Sequence, residues 1–251
     1  MLILISPAKR QDFATPPLPT LPSTRPAFLT ETQELIGVLQ EKSAADLQKL
    51  MSISPALGKL NFERFQSFEE APRVPAIFAF QGDVYQGLAA ATLSPAALEF
   101  AQAHLLILSG LYGALRPLDY IQPHRLEMGT TLTTPKGTNL YQYWDGRITE
   151  LLNQNLAQQT HPVLINLASQ EYFKAVQMQG LKYPVLHIEF REQRQGQYRV
   201  IALMAKRARG KMARYIIENR LTETAAIQAF NVDQYRFSAA HSDQDRWVFV
   251  R

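Results

Sequence analysis

Four short apolar runs in this chain end in residues that can do chemistry. Leu2–Ile5 leads into Ser6, Pro7, Ala8 and Lys9. The run 77–80 leads into Gln81, Gly82, Asp83, Val84 and Tyr85. The run 105–108 leads into Ser109, Gly110, Leu111 and Tyr112, and 163–167, which contains Asn166, leads into Ala168, Ser169, Gln170, Glu171 and Tyr172. In open α/β sheets, ligands bind in the crevice at the carboxyl ends of the strands. If the four runs are parallel neighbours, one cleft collects a lysine, two carboxylates, tyrosine hydroxyls and small residues that let a ligand approach backbone N–H groups. Lys9, Asp83, Glu171 and Tyr112 are then the catalytic candidates. Ser6, Gln81, Gly82, Ser109, Gly110, Asn166 and Ser169 are candidates for holding a ligand. The same Gly, Ser and Asp residues also read, more simply, as turn chemistry and helix caps.

Three further groups carry charge. An amine held near apolar walls can lose its proton and act as nucleophile or base. Lys9 is either such a group, a point charge for phosphate, or a plain solvated lysine. Arg116 and Arg125 lie with Glu127 in LYGALRPLDYIQPHRLEMG. Each arginine either recognises a carboxylate or phosphate or pins its loop through an ion pair. Lys206, Arg207, Arg209, Lys211, Arg214 and Arg220 form a basic cluster opposed only by Glu218. At helical spacing, positions 207, 211 and 214 share one face, while Ala208, Met212, Tyr215 and Ile216 turn to the core. That face either tracks phosphates by counterion release or is simply solvated.

The elements that must position these groups follow from apolar runs, caps and breakers. Apolar strands alternating with helices indicate a mixed α/β fold of α+β character, a single domain over 1–251 with a central, mostly buried sheet flanked by helices. Thr30, Ser43, Ser54 and Ser94 mark helix starts, with Ser43 and Asp46 forming a capping box and Pro55 and Pro95 at N1. Single helices are expected over 140–158 and 206–221, strands at 76–80, 105–108 and 163–167, a hairpin around Gly196, and a closing pair of strands at 234–238 and 246–250. Six prolines between 7 and 26 make that stretch a long loop. Residues 43–68 read as helix, tight turn, helix, resembling a helix-hairpin-helix near the N-terminus. Lys49, Lys59 and Arg64 could supply its charge; Ser54 and Ala56 stand where glycines are usual, and Gly58 comes late.

Composition removes several classes of function. The 251 residues hold 26 Lys and Arg against 22 Asp and Glu, and no Cys. Disulfides, thiolate metal sites and a cysteine nucleophile are therefore excluded. The five histidines show neither HExxH nor HxH spacing, and no Walker A or GxGxxG pattern occurs, so neither a metal site nor a cofactor is expected. No run approaches the roughly 18–20 apolar residues of a membrane span. MLILISPAK lacks the basic flank of a signal peptide, which makes a cytoplasmic protein the expectation.

MLILISPAK, FQGDVYQGL, LSGLYGALRPLDYIQPHRLEMG, NLASQEYFKAV and KRARGKMARYIIENRL, kept in this order over nearly the whole chain, resemble the YaaA family of bacterial peroxide-stress proteins. The resemblance implies a cytoplasmic protein with a single α/β domain of unusual fold. It also implies a role in surviving hydrogen peroxide, with lower free intracellular iron and less DNA damage. Double-stranded DNA binding through a positively charged cleft and a helix-hairpin-helix, here at about 46–68, belongs to the same expectation. One departure is Arg10–Gln11, where the family pattern has Thr-Leu; it adds charge beside Lys9.

Two functions follow. In the first, the 206–220 face and the 46–68 hairpin hold the DNA backbone largely without reading sequence. In the second, the chain is an enzyme acting on a nucleoside, nucleotide or damaged base. Lys9 is then the nucleophile or base, Asp83 or Glu171 its acid–base partner, and Arg125 a clamp on a nucleobase- or phosphate-containing ligand. Direct iron sequestration ranks last, because the carboxylates are dispersed.

Overall fold

A computed structural model of the chain describes residues 1–14, 22 and 24–251; the rest of the proline-rich stretch, 15–21 and 23, lies outside the described residues. β1 (Leu2–Ile5) and the two-residue β2 (Arg10–Gln11) precede three helices, α1 (Leu29–Gln40), α2 (Ala44–Met51) and α3 (Pro55–Gln66). Next come β3 (Val74–Pro75), α4 (Ala76–Ala79), β4 (Phe80–Gln81), α5 (Asp83–Leu88) and α6 (Pro95–His104). β5 (Leu105–Ser109), β6 (Gly113–Leu115) and β7 (Tyr120–Ile121) are followed by α7 (Leu140–Trp144), α8 (Arg147–Ala157), β8 (Leu164–Asn166) and α9 (Gln170–Phe173). β9 (Val185–Arg194), β10 (Gln197–Arg199), α10 (Ala202–Glu218), β11 (Arg236–Phe237) and β12 (Arg246–Val250) complete the chain.

The central sheet has the order β11-β12-β9-β8-β1-β5-β6, with β10 added to β9. β1 pairs in parallel with β5 and β8, β8 with β9, and β9 with β12, while β6 and β11 close the two edges antiparallel. All four residues of β1 are buried, as a strand covered on both faces by helices must be. The expected mixed α/β architecture is therefore what the chain adopts. Leu35, Leu39, Leu47 and Phe65 of the helical segment join the same core as the sheet.

Caps placed several boundaries correctly. The Ser43–Asp46 capping box is reciprocal, Ser54 caps α3 ahead of Pro55, and Ser94 caps α6 ahead of Pro95. Four expectations fail. Thr30 does not cap α1, which starts at Leu29 after Phe28 without a side-chain cap bond. Residues 76–79 form a helical turn, and only Phe80–Gln81 is strand, paired with β2 rather than with the central sheet. A short apolar run is equally compatible with a buried helical segment, and length alone did not separate the two. The helix expected over 140–158 is broken at Asp145, whose φ is 43°. The basic helix starts at Ala202, because the return strand of the hairpin ends at Arg199 after the left-handed Gln195–Gly196 turn.

Candidate functional site

β1 lies between β5 on one side and β8 on the other, and β8 is followed outward by β9. The chain thus leaves β1 and β8 in opposite directions along the sheet, the arrangement that opens a crevice at their carboxyl ends. Ser6 follows β1, and Ser169 follows β8. The Ser169 N–H donates to Ser6 Oγ at 2.8 Å, and the two hydroxyls are 3.3 Å apart. Above them lies a hollow of about 610 Å³ that also touches Lys9, Gln81, Gly82, Asp83 and Glu171. A volume of roughly 300–1,000 Å³ is that of a small-molecule site.

Asp83 reaches the hollow although its strand is not in the central sheet. β2 and β4 pair antiparallel, Arg10 opposite Gln81, which lays the 81–83 turn against the segment after β1. Gly82 has φ 157° and ψ −175°, a backbone region open essentially to glycine, and a Cβ there would meet the Ala8 side chain at 3.3 Å. The third wall is α10, which crosses α5 on two glycines. A Cβ on Gly210 would lie 1.8 Å from the Val84 carbonyl oxygen, and one on Gly87 would lie 2.2 Å from that of Arg207. Only bare backbone allows this approach, and it delivers Lys206 and Arg209 to the hollow.

The basic residues of α10 divide by face. Lys206 and Arg209 border the hollow, and neither makes a hydrogen bond or ion pair among the described residues. The Arg209 Nε–H is buried without an acceptor, and burial holds its guanidinium pKa below the ordinary value, only partly offset by the Glu189 charge. On the other face, Arg207 donates to Gln86 Oε1 at 3.0 Å and lies 3.9 Å from Asp83. Lys211 holds both carboxylate oxygens of Asp233, at 2.6 and 2.5 Å. Arg214 donates to the carbonyls of Leu88 and Ala89 and to Thr92 Oγ1, and pairs with Glu218 at 2.6 Å. It thereby satisfies the C-terminal carbonyls of α5. The phosphate-tracking face expected from 207, 211 and 214 is therefore occupied by internal pairs.

Lys9 meets Glu127 at 2.8 Å, and Glu127 also accepts from Arg125 at 2.9 Å, so the three form one charge chain along the rim. The Lys9 side chain is 65% exposed. The desolvation that activates an amine is absent there. Glu171 borders the hollow and accepts the Gly129 N–H on Oε1 at 3.1 Å, which leaves Oε2 outside that bond. Two aromatic wall residues stood in the motif loops outside the candidate set. Tyr85 donates to the Ser6 carbonyl at 3.1 Å, and Tyr172 lies beside Glu171. Burial pushes both phenol pKa values up; the Glu171 and Glu127 charges add to the effect at Tyr172. Their signal was an aromatic two residues from each acidic candidate, Asp83–Val84–Tyr85, or next to it, Glu171–Tyr172.

Other candidates fall elsewhere. Tyr112 is fully buried, donating to Gln122 Oε1 and accepting the Gln122 N–H, and burial raises its pKa strongly; it has no access to the hollow. Gly110 is packed where a Cβ would meet the Leu126 carbonyl at 2.3 Å, and its own carbonyl accepts the Trp144 indole N–H. Ser109 Oγ accepts the Tyr112 N–H and, with His124 and Arg125, borders a small recess adjoining the hollow through Lys9. Asn166 bridges the Ala168 N–H and His187 Nδ1, steadying the backbone ahead of Ser169. Arg116 lies at the far side of β6, bonded to Asn155. The β5–β6 reversal carries it away from the crevice.

In the helix pair, the turn is left-handed at Ser52. Gly58 serves the crossing instead of the turn, since a Cβ there would meet the Ala44 carbonyl at 2.8 Å. Lys49 and Lys59 are exposed, the latter 3.9 Å from Glu63. Arg64 is close enough to His124 to help burial lower that imidazole to about 4. Among the described residues, no three His, Asp or Glu side chains cluster as metal ligands, and no helix is long and apolar enough to cross a membrane.

The model of a family described as peroxide stress protein YaaA matches residues 1–241. A UPF0246 protein of Caulobacter vibrioides is 51% identical, the match spanning 100% of this chain and 99% of the relative. One from Bordetella petrii is 48% identical over 100% and 99%, and one from Acaryochloris marina 50% over 100% of both.

Proposed function

This chain belongs to the YaaA family of peroxide stress proteins, and from that premise we propose that it limits oxidative damage by binding double-stranded DNA across the basic border of the cleft. The observation that carries this reading is that Lys206 and Arg209, unpaired among the described residues, border the same hollow as Lys9 and Arg10. Cations without internal partners set the field that a phosphate backbone meets, and their arrival displaces condensed counterions. Displacement of iron from the DNA surface would lower both the free-iron burden on DNA and the damage done there by peroxide. Lys49 and Lys59 of the helix pair extend the phosphate contacts, and Arg64 lies within electrostatic reach of His124, which borders the recess beside the cleft.

Fluorescence anisotropy with a labelled 20-bp duplex tests the reading. Affinity is expected to fall linearly on a log–log plot against salt. Lys206→Gln and Arg10→Gln should each flatten the slope by about one, whereas Lys211→Gln and Arg214→Gln should leave it unchanged. Salt-independent binding, or none at low salt, overturns the proposal.

The enzyme reading has one observation in its favour, the convergence of Lys9, Asp83 and Glu171 on one hollow. The exposure of Lys9 and its pairing with Glu127 favour a point charge over a nucleophile. Borohydride treatment with abasic DNA decides between them: an adduct formed by the wild type and absent from Lys9→Ala would establish covalent chemistry.

A further inference from the structure

We infer that the hollow is a site for a single nucleotide, its phosphate held by Lys206 and Arg209. The inference rests on the DNA reading only for the strand as a source of that nucleotide.

Lys206 and Arg209 stand one turn apart on α10 and both border the hollow; among the described residues neither has a hydrogen-bond or ion-pair partner, the Glu189 charge acting on Arg209 only at longer range. The three basic residues between and beyond them on the other face all have partners. A buried guanidinium N–H without an acceptor is costly to maintain; Arg125 Nε shares this condition, but on α10 it is confined to Arg209 among the described residues. Two cations converging on one space match a dianionic phosphate, with the guanidinium fork able to take two of its oxygens.

The rest of the hollow is too large for phosphate alone. About 610 Å³ accommodates a sugar and a base as well. Val84, Tyr85, Leu167 and Tyr172 supply apolar and aromatic wall, on which a planar base can lie. Glu171 Oε2, which is outside the Gly129 bond, is an acceptor for base-edge N–H groups. Intact duplex cannot enter a space of this size. A nucleotide turned out of the stack can, most readily where it is unpaired or damaged. A free mononucleotide has the same chemistry, so the two sources must be separated by experiment.

Equilibrium binding of 5′-dAMP and of deoxyadenosine to the full chain is the first arm. The second compares a perfect duplex with one carrying a single bulged adenosine. A mononucleotide source predicts binding of 5′-dAMP at least tenfold tighter than deoxyadenosine. A strand source predicts at least tenfold preference for the bulged duplex. In either case Arg209→Gln and Lys206→Gln remove most of the preference, and Arg207→Gln retains it. Lys206 is exposed, so its variant keeps the test valid should Arg209→Gln fold poorly. Duplex binding without preference for phosphate or bulge overturns the nucleotide site and spares the DNA reading. Preference for 5′-dAMP without duplex binding does the reverse. A preference that survives both cavity variants also overturns the site.

Discussion

The two faces of α10 are built from the same residue types and do opposite things. Toward α5 and the 232–234 turn, Arg207, Lys211 and Arg214 are bound to Gln86, Asp233, Glu218 and the end of α5. Toward the hollow, Lys206 and Arg209 have no hydrogen-bond or ion-pair partner among the described residues. Exposed ion pairs contribute little stability, but each cancels a charge that a distant phosphate would otherwise feel. The count of basic residues on a helix therefore overstates its field, and that field is concentrated where charges are not cancelled. Register sets the division: the bare Gly87–Gly210 crossing fixes which way the helix is rolled.

The sharpest way to break this division is to move the crossing. Gly210→Ala places a methyl 1.8 Å from the Val84 carbonyl oxygen, and a loss of about 3 kcal/mol in urea unfolding is expected, with duplex affinity falling in step. Gly37→Ala, in open space on α1, should instead be stabilising by up to about 1 kcal/mol.

A pH series probes the recess beside the cleft. His124 is held near 4 by burial, against 6.5 when unfolded. The unfolded chain binds more protons in that window, so this contribution is complete above about 6.5 and is lost as pH falls toward 4. Unfolding curves of wild type and His124→Asn should therefore converge on acidification, the difference between them changing by about 3 kcal/mol. Parallel curves across that range would show that the imidazole is not desolvated.

Arg214→Ala removes the cap on α5 and should cost about 2 kcal/mol with duplex affinity unchanged. Arg209→Met is expected to act in the opposite sense, gaining about 1 kcal/mol of stability while weakening DNA binding. If Arg209→Met is destabilising and binding-neutral, the two faces are not functionally distinct.

Parts of the site were legible in advance for local reasons. Ser6, Lys9, Asp83, Ser169 and Glu171 follow apolar runs directly, and they do meet around one hollow. Asp83 arrived there by a route that periodicity did not reveal, through the β2–β4 pair rather than a strand of the central sheet. Tyr112 and Gly110 follow a strand equally well, yet the turn that carries them folds back under the 122–128 segment and buries them. Sequence spacing does not tell whether a loop at a strand end opens to solvent or is roofed by another. Arg116 was misplaced for a related reason, because β6 reverses direction and takes it to the other end of the sheet.

Sequence by itself determined the caps, the buried central strands, the absence of thiol chemistry and the family resemblance, since each depends on residue identity or on contacts a few positions apart. Tertiary structure alone decided which basic side chains are cancelled and which border the hollow, because the deciding contacts are remote in the chain: Asp233 for Lys211, the end of α5 for Arg214, and for Arg209 the lining that the segments after β1, β4 and β8 bring together. Charge acts through space, and the distances that govern it exist only once the chain has closed around its core.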